Sequence, residues 1–307
     1  MPFYQTDPAL AAAGERLIDD SLAECPGVPR EAIAVTWIVH PEPPRHRLAA
    51  PWSPAPRGFG WRGDVPIYPA SVVKLFHMVA MFGWRDAGLL TFDAEDRRAL
   101  KAMIGISSND ATAYIVDRLT EAPDGGPLAP EALALWEYRR GSLDRYFQAW
   151  GWPELAGSRV CHKTYDEGCY GREALYRGRA GMNLLSTDGV ARMVYALAAQ
   201  AVMSPALSQE MFAIMARDLR RDGPERSQAE NQVDEFLGQD LPEGTLWWSK
   251  AGWTSSVRHD AGHLELPDGR AATLAVFTTG GELSRRTDVL PAFGRNAVRL
   301  LRELPMA

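Results

Sequence analysis

Apolar positions along this chain follow two periods, and their order outlines a fold. Asp7-Pro8 reads as a helix cap followed by a first-turn proline. Leu10, Ala13, Leu17 and Ile18 then recur at helical spacing to about Ala23. Residues 32–39 are rich in β-branched side chains and predict a buried strand. From Ser71 onward Leu75, Met78, Val79 and Phe82 predict a strongly apolar, buried helix. Further helical patterns cover 93–103, 111–119, 130–138 and 143–150. Residues 152–181 lose the pattern and read as irregular. Helical spacing returns over 188–201 and 205–219. Three strands are then expected at 245–252, 263–266 and 271–277, the last two joined by the turn signal Pro267-Asp268-Gly269-Arg270. A final helix from about Pro291 carries Phe293, Ala297, Leu300 and Leu301 as its apolar stripe.

The layout is helix and strand, an all-helical middle, then strands and a helix. The expected class is α/β (α+β): an antiparallel sheet flanked by the terminal helices. Residues 1–68 and 215–307 form the sheet part, and 69–214 an inserted all-α part. The segment 41–66 is rich in proline and arginine and reads as a long irregular connection beside a poorly formed second strand.

Bulk composition narrows the function. The hydrophobic fraction of 46% is ample for a packed core, and the net charge of −6 leaves no basic footprint for nucleic acid. No run of 18 uncharged apolar residues is present, so no membrane span is expected. The first seven residues show no positive n-region and no apolar stretch, so the expected location is cytoplasmic. Three cysteines, Cys25, Cys161 and Cys169, fit a reduced compartment better than a disulfide framework. Cys161-His162 and Cys169 match no common zinc spacing, so neither metal nor cofactor is expected. A small-molecule substrate is the expected partner.

Candidate chemistry begins at Tyr68-Pro-Ala-Ser-Val-Val-Lys74. Ser71 and Lys74 stand nearly one helical turn apart, so both project from one face. A serine hydroxyl is a poor nucleophile until a base takes its proton. Of 33 basic residues only four are lysines, Lys74, Lys101, Lys163 and Lys250. Arginine does not give up its proton at working pH, so it cannot replace a basic lysine. Ser107-Ser108-Asn109 and Lys250-Ala251-Gly252 follow in order. Strand alternation puts Leu246, Trp248, Lys250 and Gly252 on one face, and Trp247, Ser249, Ala251 and Trp253 on the other.

The order Ser-x-x-Lys, Ser-x-Asn, Lys-x-Gly resembles that of the penicillin-recognising serine hydrolases, and the chain resembles their class A β-lactamase branch throughout its length. The resemblance implies Ser71 as nucleophile, Lys74 as its base and Ser107 as proton relay to the leaving group. It implies Asn109, Lys250, Gly252 and Trp253 in substrate binding, with the backbone N–H groups of Ser71 and Trp253 receiving the oxyanion. Four departures stand out. Ser108 replaces an aspartate that is mainly structural in the family. Ala251 lacks a hydroxyl that helps bind a drug's carboxylate, and Trp253 adds a bulky ring where a small residue is usual; Thr254, Ser255, Ser256 and Arg258 are the candidates to compensate. The loop glutamate of class A has no counterpart at the usual spacing. Asp166, Glu167 and Glu173 are the carboxylates on offer, with Lys74 itself the alternative for activating the deacylating water; solvated loop charges are the plainer expectation for all three. The expected function is a serine hydrolase or acyltransferase acting on an amide, lactam or ester of a metabolic or biosynthetic molecule. A true β-lactamase or D-Ala-D-Ala peptidase, and a non-catalytic binding protein, are the alternatives.

Overall fold

Asp7 caps the first helix as expected, its carboxylate accepting from the N–H of Leu10 at 2.9 Å. That helix, α1 (Pro8–Glu24), leads to strands β1 (Ile33–His40) and β2 (Arg57–Trp61). Helices α2 (Lys74–Asp86), α3 (Ala94–Gly105), α4 (Asn109–Thr120), α5 (Pro130–Arg140), α6 (Ser142–Gln148), α7 (Gly171–Ala180), α8 (Thr187–Ala198) and α9 (Pro205–Ile214) follow. Strands β3 (Ala216–Arg217), β4 (Leu246–Trp253), β5 (Arg258–Glu265) and β6 (Ala271–Thr278) come next, then α10 (Gly281–Ser284) and α11 (Val289–Glu303). The structure, a computed structural model, describes residues 2–46, 54–165, 169–228 and 231–305. Part of the proline-rich segment thus lies outside the described residues.

Among the described residues the strands form a six-stranded sheet in the order β2-β1-β6-β5-β4-β3, every pair antiparallel. Both faces are covered, which is why β1 and β6 read as nearly continuous apolar runs. One face, with Val35, Trp37, Leu274 and Trp247, packs on Leu10 and Leu17 of α1 and Phe293 and Leu300 of α11. The other, with Ala34, Ala261, Ala275 and Phe277, meets the helical segments through α2 and α8. Among the described residues no helix is long and apolar enough to cross a membrane.

Three elements depart from the sequence expectation, each for a physical reason. The segment 152–181 is not wholly irregular, because α7 lies within it. That helix buries Glu173 and exposes Leu175, so it carries no apolar stripe to read. The helix expected over 205–219 stops at Ile214. Arg217 instead sits in β3 with its buried guanidinium on the carbonyls of Ile104, Gly105 and Ser249. Strand β5 starts five residues before its expected beginning. Its polar stretch Arg258-His259-Asp260 is buried, and each side chain has a specific partner: Glu235, the Tyr68 carbonyl and the Leu237 N–H.

Two predictions follow from β5. A Cβ at Gly262 would lie 2.4 Å from the Trp248 carbonyl oxygen and 2.4 Å from the Trp247 ring. Gly262→Ala should therefore destabilise the protein by about 1–3 kcal/mol, read from urea unfolding. Asp260 gives the second. Burial pushes its carboxyl up to about 7, against the opposing pull of Arg217, of the Leu237 and Ala261 N–H groups and of Lys250. An acid raised in the folded state adds most stability below its unfolded value of about 4. That contribution falls as pH climbs from there to about 7 and is level above. Asp260→Asn does not titrate. Its Tm relative to wild type should be higher at pH 8 than at pH 5 by about 5 °C. Melts that differ by the same amount at both pH values would show that Asp260 ionises in the ordinary range.

Candidate active site

The turn that presents Ser71 is held from below and from the side. His259 is buried and stacked on Phe277 at 4.2 Å between ring centroids. Its Nδ1 accepts from the Thr278 N–H at 3.1 Å, which leaves Nε2–H to donate to the Tyr68 carbonyl at 2.8 Å. Burial pushes the His259 ring down to about 4, so it stays neutral and keeps this tautomer at physiological pH. Pro69 then leads into a 3₁₀ turn, Ala70–Val73, that runs on into α2. Ala70 takes a left-handed φ of +46°, unusual for a residue with a side chain. Ser71 lies in the first turn, where helical N–H groups have no partner within the helix. A Cβ on Gly252 would lie 2.8 Å from the Pro69 oxygen and 2.9 Å from the Ser71 nitrogen. Only glycine lets β4 pass this close to the turn.

Lys74 is fully buried. Its ammonium donates to Asn109 Oδ1 at 2.7 Å, to Ser107 Oγ at 3.2 Å and to the Ser107 carbonyl. Lys250, equally buried, donates to the same Ser107 Oγ at 3.0 Å. A hydroxyl has two lone pairs and one proton. With both amines on its oxygen, the Ser107 proton is left to point elsewhere. Two ammonium groups one oxygen apart also repel each other. Lys74, Ser107, Asn109 and Lys250 therefore converge, and Gly252 abuts the Ser71 turn. Among the described residues no hydrogen bond ties the Ser71 hydroxyl to either lysine.

Local chemistry explains why Ser107 sits where it does. Its φ of +57° is left-handed. Ser108 caps α4, its hydroxyl accepting from the Ala111 N–H at 3.1 Å. This is a structural role for the residue that departs from the family pattern. Asn109 Oδ1 also accepts from Thr164 Oγ1 at 2.7 Å. The end of α3, just ahead of Ser107, is clamped to β4 by two residues that sequence reading missed. Arg217 donates to Ile104 and Gly105 on one side and to Ser249 on the other. Gln232 donates to the same two carbonyls while its Oε1 accepts from Lys250 Nζ and the Ala251 N–H. His259, Arg217, Gln232 and Thr164 carry no motif. Only the polar run at 258–260 inside a strand-rich region hints at one of them.

Several expectations need correction. Glu173 is not a solvated loop charge. It is buried against Arg140 Nη2 at 3.2 Å, His162 Nδ1 at 3.0 Å and the Lys163 N–H at 3.1 Å. Burial opposes its ionisation, but His162, Arg140 and that N–H outweigh it and hold the carboxyl below its usual range. Glu173 is committed to this cluster rather than to a water at Ser71. Asp166 and Glu167 lie outside the described residues. The Trp253 ring lies off the Lys250 face, on the side where strand alternation puts it. It is 57% exposed, donates from Nε1 to the Ser284 carbonyl at 2.9 Å and lies 5.0 Å from the Arg258 guanidinium. Arg258, a candidate to receive a carboxylate, is already held by Glu235 at 3.0 Å and the Ser284 carbonyl at 3.1 Å. Cys161 and His162 belong to the buried surroundings of Glu173, and among the described residues no three His, Cys, Asp or Glu side chains are grouped to hold a metal.

Known structures repeat this architecture. A beta-lactamase from Sphaerobacter thermophilus matches with a TM-score of 0.63 at 19% identity, covering 97% of this chain and 99% of that one. A mutant of PBP-A in an acyl-enzyme complex with penicillin-G matches with a TM-score of 0.66 at 16% identity, covering 99% and 100%. A beta-lactamase from Chitinophaga pinensis matches at 0.64 and 14%, covering 95% and 98%. At such identities the likeness is one of fold. Among curated proteins none matches the sequence. The model of the Beta-lactamase enzyme family matches residues 95–301, about two thirds of the chain, spanning Ser107, Asn109, Lys250 and Gly252 but starting after Ser71 and Lys74. By that match, and with the fold in agreement, the chain belongs to the beta-lactamase enzyme family.

Proposed function

We propose that the protein is a serine hydrolase that cleaves or transfers an acyl group through an acyl-Ser71 intermediate. The observation that carries this reading is the Ser107 hydroxyl held between the two buried ammonium groups, next to the Ser71 turn. Lys74 takes the proton of Ser71 Oγ as that oxygen attacks the substrate carbonyl. The developing oxyanion meets the backbone N–H groups of Ser71 and Trp253. The proton passes from Lys74 through Ser107 to the leaving group, so the C–N or C–O bond breaks as the leaving atom is protonated. Asn109 holds Lys74 through Oδ1 and orients the substrate by its amide nitrogen. Water, or an acceptor nucleophile, then releases the acyl group.

The substrate we favour is an uncharged amide, lactam or ester of metabolic or biosynthetic origin, handled in the cytoplasm. Ala251 offers no hydroxyl, and Arg258 is engaged by Glu235. Membership of the beta-lactamase family supports a second reading, a true β-lactamase or D-Ala-D-Ala peptidase. A binding protein without turnover is the third.

A fluorophosphonate probe with peptide mapping separates these. Labelling at Ser71 is expected, and its absence would leave the binding protein. Ser71→Ala should abolish labelling and turnover while Tm stays close to wild type, because only a half-buried hydroxyl is lost. Lys74→Arg should lower kcat/KM by about 10²–10⁴, since charge is kept and basicity is lost. Activity near wild type in that variant would remove Lys74 as the base. A neutral nitrophenyl ester should be turned over better than a chromogenic cephalosporin. Cephalosporin turnover at about 10⁶ M⁻¹s⁻¹ or more would promote the second reading.

A further inference from the structure

Lys250 has three N–H donors. They reach Ser107 Oγ at 3.0 Å, Gln232 Oε1 at 2.5 Å and the Ala251 carbonyl at 2.6 Å. Gln232 Oε1 also receives the Ala251 N–H at 3.3 Å. That N–H lies on the outer edge of β4. Residues of β3 pair only with Trp247 and Trp248, and the Met215 carbonyl takes the Ser249 N–H at 3.0 Å. Alternation then turns the Ala251 and Trp253 N–H groups outward along the same edge. One side-chain oxygen thus sits between the last backbone partner and the Trp253 N–H.

An ammonium and a backbone N–H aimed at one point make a place for an anionic oxygen. Here a neutral amide oxygen fills it. Gln232 is 3% exposed and does not swing aside freely, because its Nε2 is anchored on the Ile104 carbonyl at 3.0 Å and the Gly105 carbonyl at 2.5 Å. We infer that Gln232 is a specificity-determining residue: its amide oxygen fills the point where Lys250 and the Ala251 N–H would grip a substrate carboxylate, and so restricts the site to uncharged acyl substrates. The inference rests on the reading of Ser71 as nucleophile. It adds a named device to the preference for neutral substrates.

The device can be removed without orphaning the α3 carbonyls, since Arg217 bonds both of them independently, Gly105 at 2.8 Å and Ile104 at 2.9 Å. The test uses the full chain and two nitrophenyl esters of matched length, one with a terminal carboxylate (the hemiglutarate) and one without (the valerate). The readout is the anionic-to-neutral ratio of kcat/KM. Gln232→Ala opens the point, and the ratio should rise about tenfold or more over wild type, the worth of a charge-assisted hydrogen bond. Gln232→Met keeps the length of the side chain but loses its acceptor. It should raise the ratio less. An unchanged ratio in both variants, or an equal fall for both esters, would overturn the inference, because the residue would then serve the fold alone. Failure of both variants to fold would overturn it for the same reason. If Gln232→Ala alone fails to fold, the methionine variant decides: a raised ratio supports the inference and an unchanged one overturns it. Fluorophosphonate labelling of wild type is run alongside. Loss of labelling at Ser71 defeats the proposed function. Labelling with an unmoved ratio defeats only the role of Gln232.

Discussion

One hydroxyl joins the two halves of this site. Ser107 comes from the loop between α3 and α4, Lys74 from α2 and Lys250 from the sheet, and the two amines meet on Ser107 Oγ at 3.2 and 3.0 Å. Burying an ammonium costs several kcal/mol unless its donors are met. Each lysine can stay inside only because oxygens surround it. Ser107 serves both, so moving it exposes two charges to desolvation at once. Much of the neighbouring structure works to hold that hydroxyl still. Arg217 and Gln232 lock the end of α3 to β4, and the Ser108 cap fixes the start of α4. Polar contacts at an interior of low dielectric are strong when complete and costly when not, which makes such a cluster rigid.

The lysine count takes on meaning in this light. Three of the four lysines are buried: Lys74, Lys250 and Lys163, the last paired with Asp117 at 2.6 Å. Lys101 is exposed. Arginine supplies nearly all other positive charge, in ion pairs such as Arg85 with Glu210 and Arg286 with Asp288. Three of the four lysines thus sit where a compact ammonium is enclosed by oxygens, while arginine supplies most of the paired charge elsewhere. Scarcity was therefore a usable signal in the sequence, because it set Lys74 and Lys250 apart before any geometry was known.

What was legible from the sequence, and what was not, divides along chain separation. Ser71 and Lys74 share one helical turn, and Ser107 and Asn109 sit within three residues, so local spacing displays each pair. The middle of the sheet was legible because β1 and β6 bury both faces and read as apolar runs. Gln232, Arg217 and His259 were not. Each acts on a partner brought near only by the fold, such as Tyr68, 191 residues from His259, or Gly105, 112 residues from Arg217. Polarity there looks like a surface loop until its partners are known. Glu173 misled in the same way, since its charge is met by Arg140 and His162, from α5 and from the chain between α6 and α7.

Strain completes the argument. Two non-glycine residues of the site, Ala70 and Ser107, adopt left-handed backbone angles of +46° and +57°. Such angles cost about 1–3 kcal/mol each and persist only where surrounding contacts over-determine them. Those contacts are present at both places. His259 pins the Tyr68 carbonyl two residues before Ala70, and Gly252 brings β4 against the same turn. At Ser107, both lysines act directly and Arg217 acts through Gly105. The strained residues are Ser107 itself and the neighbour of Ser71. Relaxing Ser107 would turn its hydroxyl away from both lysines, and relaxing Ala70 would move the turn that carries Ser71. The polar clamps and the glycine approach therefore hold a geometry that the local backbone, left to itself, would abandon. The cost is met by packing distributed over the sheet and α2.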